Sequence, residues 1–266
     1  MNPFSKSSLL KTASCFALLS GIALTSFSAA NAAAPSSKET AAEQVFSQKQ
    51  RTAIIEIVRN ALKKDPSILT DALMSLRQKA DEENSTAVTQ SIQKNWALFL
   101  KATPQSIWGN KDAKKTLTAF LDPRCGYCKR MVPVLADYIK AHPDVRLIER
   151  QVPLLGDASQ YAVKAIFAAE QQGKYKEMRD LIMKASTVDE AQIDKFATQL
   201  KLDQKRFHAD FSSKKVTEEM NQNIHLSRLA RMEGTPYFLF GQLPVPGGLS
   251  LKEMNDLTKE LPTDPS

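Results

Sequence analysis

Cysteine and histidine are scarce here: the chain of 266 residues has three of each. A small secreted fold stapled by disulfides needs several pairs, so disulfides do not hold this chain together. A structural zinc site needs about four ligands, drawn mainly from Cys and His. Cys125 and Cys128 stand alone, with His142, His208 and His225 remote in sequence, so no metal ligand set is expected. Long apolar runs are also missing. The longest, Phe16 to Phe27, falls short of the ~18–20 residues that span a bilayer. There is no basic block with interleaved aromatics, which leaves nucleic acid unsupported as a partner. No internal repeat or long low-complexity segment appears.

What remains is an ordinary globular composition, 42% hydrophobic and 24% charged. Its first segment has a different character. Lys6 and Lys11 precede the apolar run, and Ala29-Ala30-Asn31-Ala32 follows it. A basic start, a short greasy stretch and small residues describe a secretory signal peptide over residues 1–32, cut after Ala32 or Ala30. Cys15 leaves with it, and loss of Lys6 and Lys11 takes the formal charge from +7 to +5. The expected location is the periplasm, a compartment in which disulfides persist.

Residues 33–85 read as an N-terminal helical region. Residues 33–42 are a flexible leader. Phe46, Ile54, Ile57, Val58, Ala61 and Leu62 then form a helical stripe that ends near Lys63-Lys64. Asp65-Pro66 suits the start of a second helix, with Leu69, Leu73 and Leu76 on one face. The polar residues 81–86 predict a break before a third helix at about 86–101, carrying Val88, Ile92, Trp96 and Phe99. Such helices cannot bury their stripes alone. They dock either on the main domain or on a second copy, and an arm placed before a complete domain favours a homo-oligomer, dimer or trimer.

Residues 86–266 read as one domain. Strands are predicted over 116–122 and 145–152, separated by a helix running from the cysteines to about Ala141. A helical block fills about 157–232, with helices at Tyr161 to Gln171, Tyr175 to Lys184, Glu190 to Leu200 and Lys214 to Arg231. Strands return at 237–240 and 243–245 around a Gly241-Gln242 turn. Ser250 and Glu253 form a capping box for a last helix that points Leu251, Met254 and Leu257 inward. The order predicts an α/β fold, a thioredoxin-like sheet with a helical insertion.

The chemistry lies in Cys125-Gly126-Tyr127-Cys128. A thiolate is the nucleophile of disulfide exchange, and the unpaired N–H groups of a helix start favour an anion. Cys125 stands where strand gives way to helix, so its sulfur is expected to be partly exposed and acidified. Cys128, one turn inside, is expected to be covered and to resolve a mixed disulfide on Cys125. Gly126 admits a close substrate backbone, and Tyr127 can pack over the site. A purely structural bridge is weakly motivated, since a four-residue ring is worth only roughly 2 kcal/mol of loop entropy. Copper(I), a soft two-coordinate ion, is the alternative ligand for the same dithiol. Pro133 follows Cys128 by five residues, and Gly234-Thr235-Pro236 directly precedes strand 237–240.

Together these residues resemble the DsbA-like thiol–disulfide oxidoreductases of the thioredoxin superfamily, in the periplasmic branch that includes ScsC. The resemblance covers roughly residues 45–262. It rests on Phe120 to Lys129, Val152-Pro153-Leu154-Leu155-Gly156, Gln172-Gly173-Lys174-Tyr175 and Gly234-Thr235-Pro236. It implies a redox-active Cys125–Cys128 disulfide and no other cofactor. It implies a cis-proline at Pro236 beside the cysteines, with Thr235 offering its backbone to substrate. It further implies exported proteins as substrates, a membrane redox partner (a quinone-linked oxidase or a thiol reductase) and an oligomer that forms or isomerises disulfides. Asp122 and Glu149 are candidate proton carriers for Cys128. Gly126-Tyr127 departs from the histidine-containing dipeptide of the strongly oxidising members, Pro123 stands where many relatives carry tyrosine, and Tyr237 is larger than the common residue after Thr-Pro.

Overall fold

A computed structural model describes residues 45–264. The signal-peptide reading, Cys15 and the leader at 33–42 lie outside the described residues. The chain divides into two units, one up to Ile68 and one from Leu69.

The first unit holds helix α1, Gln48–Lys64. Ser47 caps it through a capping box with Gln50, two reciprocal bonds that satisfy otherwise orphaned N–H groups. Lys63 and Lys64 close it, where cations suit the dipole. No residue of α1 is buried. Ile54, Ile55, Ile57 and Val58 all face outward, Ile57 at 68% exposure.

Helix α2, Ser67–Lys94, begins with Asp65 Oδ1 accepting from the Ser67 amide at 3.1 Å. It runs unbroken through residues 81–86, where the sequence predicted a gap. Those residues include no glycine or proline, and polar side chains on a solvated face do not stop a helix. The boundary drawn after residue 85 therefore falls inside a helix. Short helix α3, Trp96–Leu100, follows.

The second unit is built on a five-stranded sheet of order β1-β3-β2-β4-β5. Its strands are β1 Ile107–Gly109, β2 Lys115–Leu121, β3 Val145–Gln151, β4 Tyr237–Phe240 and β5 Leu243–Pro246. Central strand β2 pairs parallel with β3 and antiparallel with β4. Every β2 residue from Thr116 to Leu121 is buried, as a strand covered on both faces requires. Between β2 and β3 lies α4, Gly126–Ala141, with Pro133 inside it. The insertion between β3 and β4 comprises α5 Asp157–Glu170, α6 Tyr175–Lys184, α7 Glu190–Gln199, α8 Gln204–Phe211 and α9 Lys214–Leu229. Helix α10, Leu251–Thr258, ends the sheet layer under its Ser250–Glu253 box.

Two elements were not foreseen. Strand β1 has three residues, too few for a period to register. Helix α8 is two turns, capped by Asp203, with only Phe207 buried. One orientation is corrected: Met254 is buried, but Leu251, in the first turn of α10, stays 37% exposed.

The insertion packs around its own core of Phe167, Tyr175, Ile182 and Phe207. A second cluster joins both cysteines to Leu117, Leu121, Leu135, Phe238 and Phe240. A third seats α2 and α3 on the sheet through Val88, Ile92, Trp96 and Phe99, packed with Phe120 and Tyr237. Phe120 stands edge-on to both Phe99 and Tyr237, at centroid distances of 6.3 and 6.5 Å.

Candidate active site

Strand β2 delivers the chain to Asp122, and the turn Asp122-Pro123-Arg124 places Cys125 as the N-cap of α4. The Cys125 amide donates to Asp122 O at 3.1 Å, closing that turn. Cys125 Sγ accepts from the Cys128 amide at 3.4 Å. An anion on this sulfur would face the helix's free N–H groups and its positive dipole end.

The two thiols sit in different surroundings. Cys125 is 8% exposed and Cys128 fully buried. Cys125 is thus less open than the sequence suggested, because the loop around Pro236 covers one side of it. Burial pushes the Cys128 thiol well above its ordinary range, since a charge there would lose its solvation. The Thr235 side chain and the Asp122 amide, 3.4 Å from Cys128 Sγ, pull it partly back.

Thr235-Pro236 is a cis peptide. Its position is the deciding contact: Cys125 Sγ lies 3.3 Å from Thr235 O. Two segments separated by more than a hundred residues therefore meet at one sulfur. The Pro236 carbonyl is occupied, accepting from the Gly247 amide at 3.0 Å. Gly126 and Tyr127 lie on the outer face of the site; Tyr127 is 65% exposed, with the Arg130 guanidinium 4.3 Å above its ring.

Asp122 and Glu149 hold other posts. The buried Asp122 carboxylate accepts from the Arg124 amide (2.8 Å), the Leu155 amide (2.9 Å) and Ser159 Oγ (2.8 Å). It ties the cysteine turn to the start of α5, while its own amide meets Cys128. Sequence reading flagged Asp122, and named Leu155 only as part of the Val152–Gly156 motif, but foresaw neither the Leu155 nor the Ser159 bond to Asp122. Glu149 bonds Trp108 Nε1 at 2.7 Å and Gln151, and lies 3.5 Å from Arg179 Nε. Burial raises its carboxyl, opposed by the Arg179 charge and the two hydrogen bonds. These partners belong to β1, β3 and α6, and none is a cysteine.

With this geometry in place, residues 116–259 match the family of the DSBA-like thioredoxin domain. The chain belongs to that family. The match spans β2 to the end of α10, so the α4 dithiol and the Thr235-Pro236 turn both lie within it. Similar solved structures include a thioredoxin-like oxidoreductase from Silicibacter pomeroyi, 29% identical, covering 61% of this chain and 95% of that one with a TM-score of 0.58. ScsC of Proteus mirabilis is 26% identical, covering 82% and 97%, at TM-score 0.57. BcfH of Salmonella enterica Typhimurium shares the fold at 22% identity and TM-score 0.65, covering 80% and 96%. Among curated proteins, a 133-residue stretch is 28% identical to the Na(+)/H(+) antiporter NhaA 3 of Salinispora tropica. It covers 49% of this chain, which spans about a fifth of that relative's length.

Proposed function

We propose that this DSBA-like chain is a thiol–disulfide oxidoreductase that forms or isomerises disulfides in exported proteins of the periplasm. The contact of Cys125 Sγ with Thr235 O carries the reading. It sets the attacking sulfur at a helix start, against the turn along which an extended substrate would lie.

In the reducing direction the Cys125 thiolate attacks one sulfur of a substrate disulfide. The new bond joins Cys125 to substrate, and the other substrate sulfur departs and takes a proton. Cys128 then surrenders its proton and attacks Cys125 Sγ. The second substrate sulfur leaves and takes a proton, and the protein keeps a Cys125–Cys128 disulfide. Oxidation of a substrate is the same path reversed. Burial of Cys128 makes its deprotonation the guarded step, which favours capture by Cys125 before resolution. A membrane redox partner resets the pair. Export rests on the signal-peptide reading of residues 1–32, and self-association on the exposed stripe of α1.

Incubating the protein with a scrambled, disulfide-bonded substrate protein tests this. Cys125→Ser should abolish exchange, and Cys128→Ser should accumulate a mixed disulfide visible on a non-reducing gel. Undiminished turnover in Cys125→Ser overturns the reading. Copper(I) binding would use the same sulfurs, so the metal content and copper affinity of the reduced protein, measured beside its exchange rate, separate the two.

A further inference from the structure

Beside the Thr235-Pro236 turn lies a groove of about 490 Å³. Its floor is apolar: Val88 from α2, Ala230, and Pro236 and Tyr237 at the start of β4, all buried. Its rim is charged, with Asp81 on α2 and Glu233 just before the turn, both exposed. Neither is ion-paired among the described residues. The rim also carries one cation, Arg231, which keeps its charge while its Nη1 donates to the neutral Asn84 Oδ1 at 2.8 Å and fastens α2 to the turn, so the rim's charge sums to −1. Arg231 does so from φ 46°, a backbone state uncommon outside glycine. The second half of α2 is thus a fixed wall of this groove.

The groove shares Thr235 with the reactive sulfur, which lies 3.3 Å from that residue's carbonyl, so a polypeptide joined to Cys125 and laid along the turn would bring residues flanking its reacting cysteine to the groove. They cannot be held there by full strand addition to β5, because Pro244 and Pro246 remove two amide donors from that edge. Side chains have to supply the grip. Apolar groups suit the floor, and cations suit the two unpaired carboxylates of the rim.

We infer that this groove selects substrate segments bearing basic residues next to the reacting cysteine, with Asp81 and Glu233 as specificity-determining residues. The inference rests on the exchange reading above and adds a substrate class to it. Helix α2, which the sequence assigns to an arm, then has a second duty as one side of the substrate path.

The test uses the reduced full chain and two disulfide-cyclised peptides, identical except that lysines or glutamates flank the cysteines. In a single turnover the peptide disulfide takes two electrons and two protons from Cys125 and Cys128. The lysine peptide should react about fivefold to tenfold faster at low ionic strength, the size expected of two exposed charge contacts, and the advantage should shrink in about 0.5 M salt. Asp81→Lys should lower the ratio severalfold, and Asp81→Lys with Glu233→Lys should bring it to one or below. Both rates come from one preparation, so partial unfolding cancels. Asp81→Lys alone, on an exposed helix face, keeps the test open should the double variant fail to fold. A wild-type ratio near one, or a ratio untouched by Asp81→Lys, overturns the inference while leaving the exchange reading intact. Absence of reaction with both peptides and with oxidised glutathione overturns the exchange reading and this inference together.

Discussion

Helix α1 carries an apolar stripe and strand β2 an apolar run, and the two meet opposite fates. In β2, every residue from Thr116 to Leu121 is buried. In α1, none is. The strand lies between β3 and β4, and helices cover its faces, so its side chains are enclosed whichever way they point. The helix brings a stripe with nothing from its own unit to place against it. An apolar pattern therefore specifies one half of a contact, and the other half must come from elsewhere in the fold or from another chain.

The largest expected effect lies on the enclosed side. Phe120→Ala removes a ring wedged between Phe99 and Tyr237. It should cost about 3–5 kcal/mol in urea unfolding. A loss under about 1 kcal/mol would mean that the third cluster is looser than its packing implies.

A second measurement sharpens the comparison at the most enclosed thiol. Cys128 has a raised folded-state pKa. Its contribution to stability is therefore complete below the free-thiol value of about 8.5 and is lost as pH climbs through the folded value. Between pH 8.5 and 10 the reduced protein should lose about 1.6 kcal/mol more than Cys128→Ala does, since only the unfolded thiol ionises over that window. Parallel pH profiles for the two proteins would remove burial as the cause.

The smallest energetic effect is expected in α1. Ile57→Glu should change unfolding of the sheet unit by no more than about 0.5 kcal/mol. It should still lower the sedimentation mass if α1 is the surface by which copies associate. A wild-type chain that sediments as a monomer breaks the oligomer proposal. A loss as large as that of Phe120→Ala breaks the comparison itself.

Much of the fold was readable because local signals agreed with one another. Strand Tyr237–Phe240 and helix Tyr175–Lys184 have the predicted bounds, and the Ser250–Glu253 box is present. The dithiol announced itself by spacing, and the role of Thr235-Pro236 was implied by the family resemblance. The reading failed where polarity was mistaken for a break, at 81–86, and where elements were too short to show a period, at β1 and α8. Asp122 was noticed for its charge, yet its partners Leu155 and Ser159 lie more than thirty residues away and leave no local trace.

By itself the sequence determined the pair of sulfurs, their place at the start of a helix, and the alternation of elements that makes an α/β sheet. These follow from short-range rules: the capping preference of one residue, the period of a strand, the spacing of two thiols along one turn. Only the tertiary structure decided that Cys125 touches the Thr235 carbonyl, that Cys125 itself is largely covered, and that the second half of α2 stands beside the Thr235-Pro236 turn. Those facts depend on which distant segments become neighbours. Burial and charge act through space, so their consequences appear only once the chain has closed on itself.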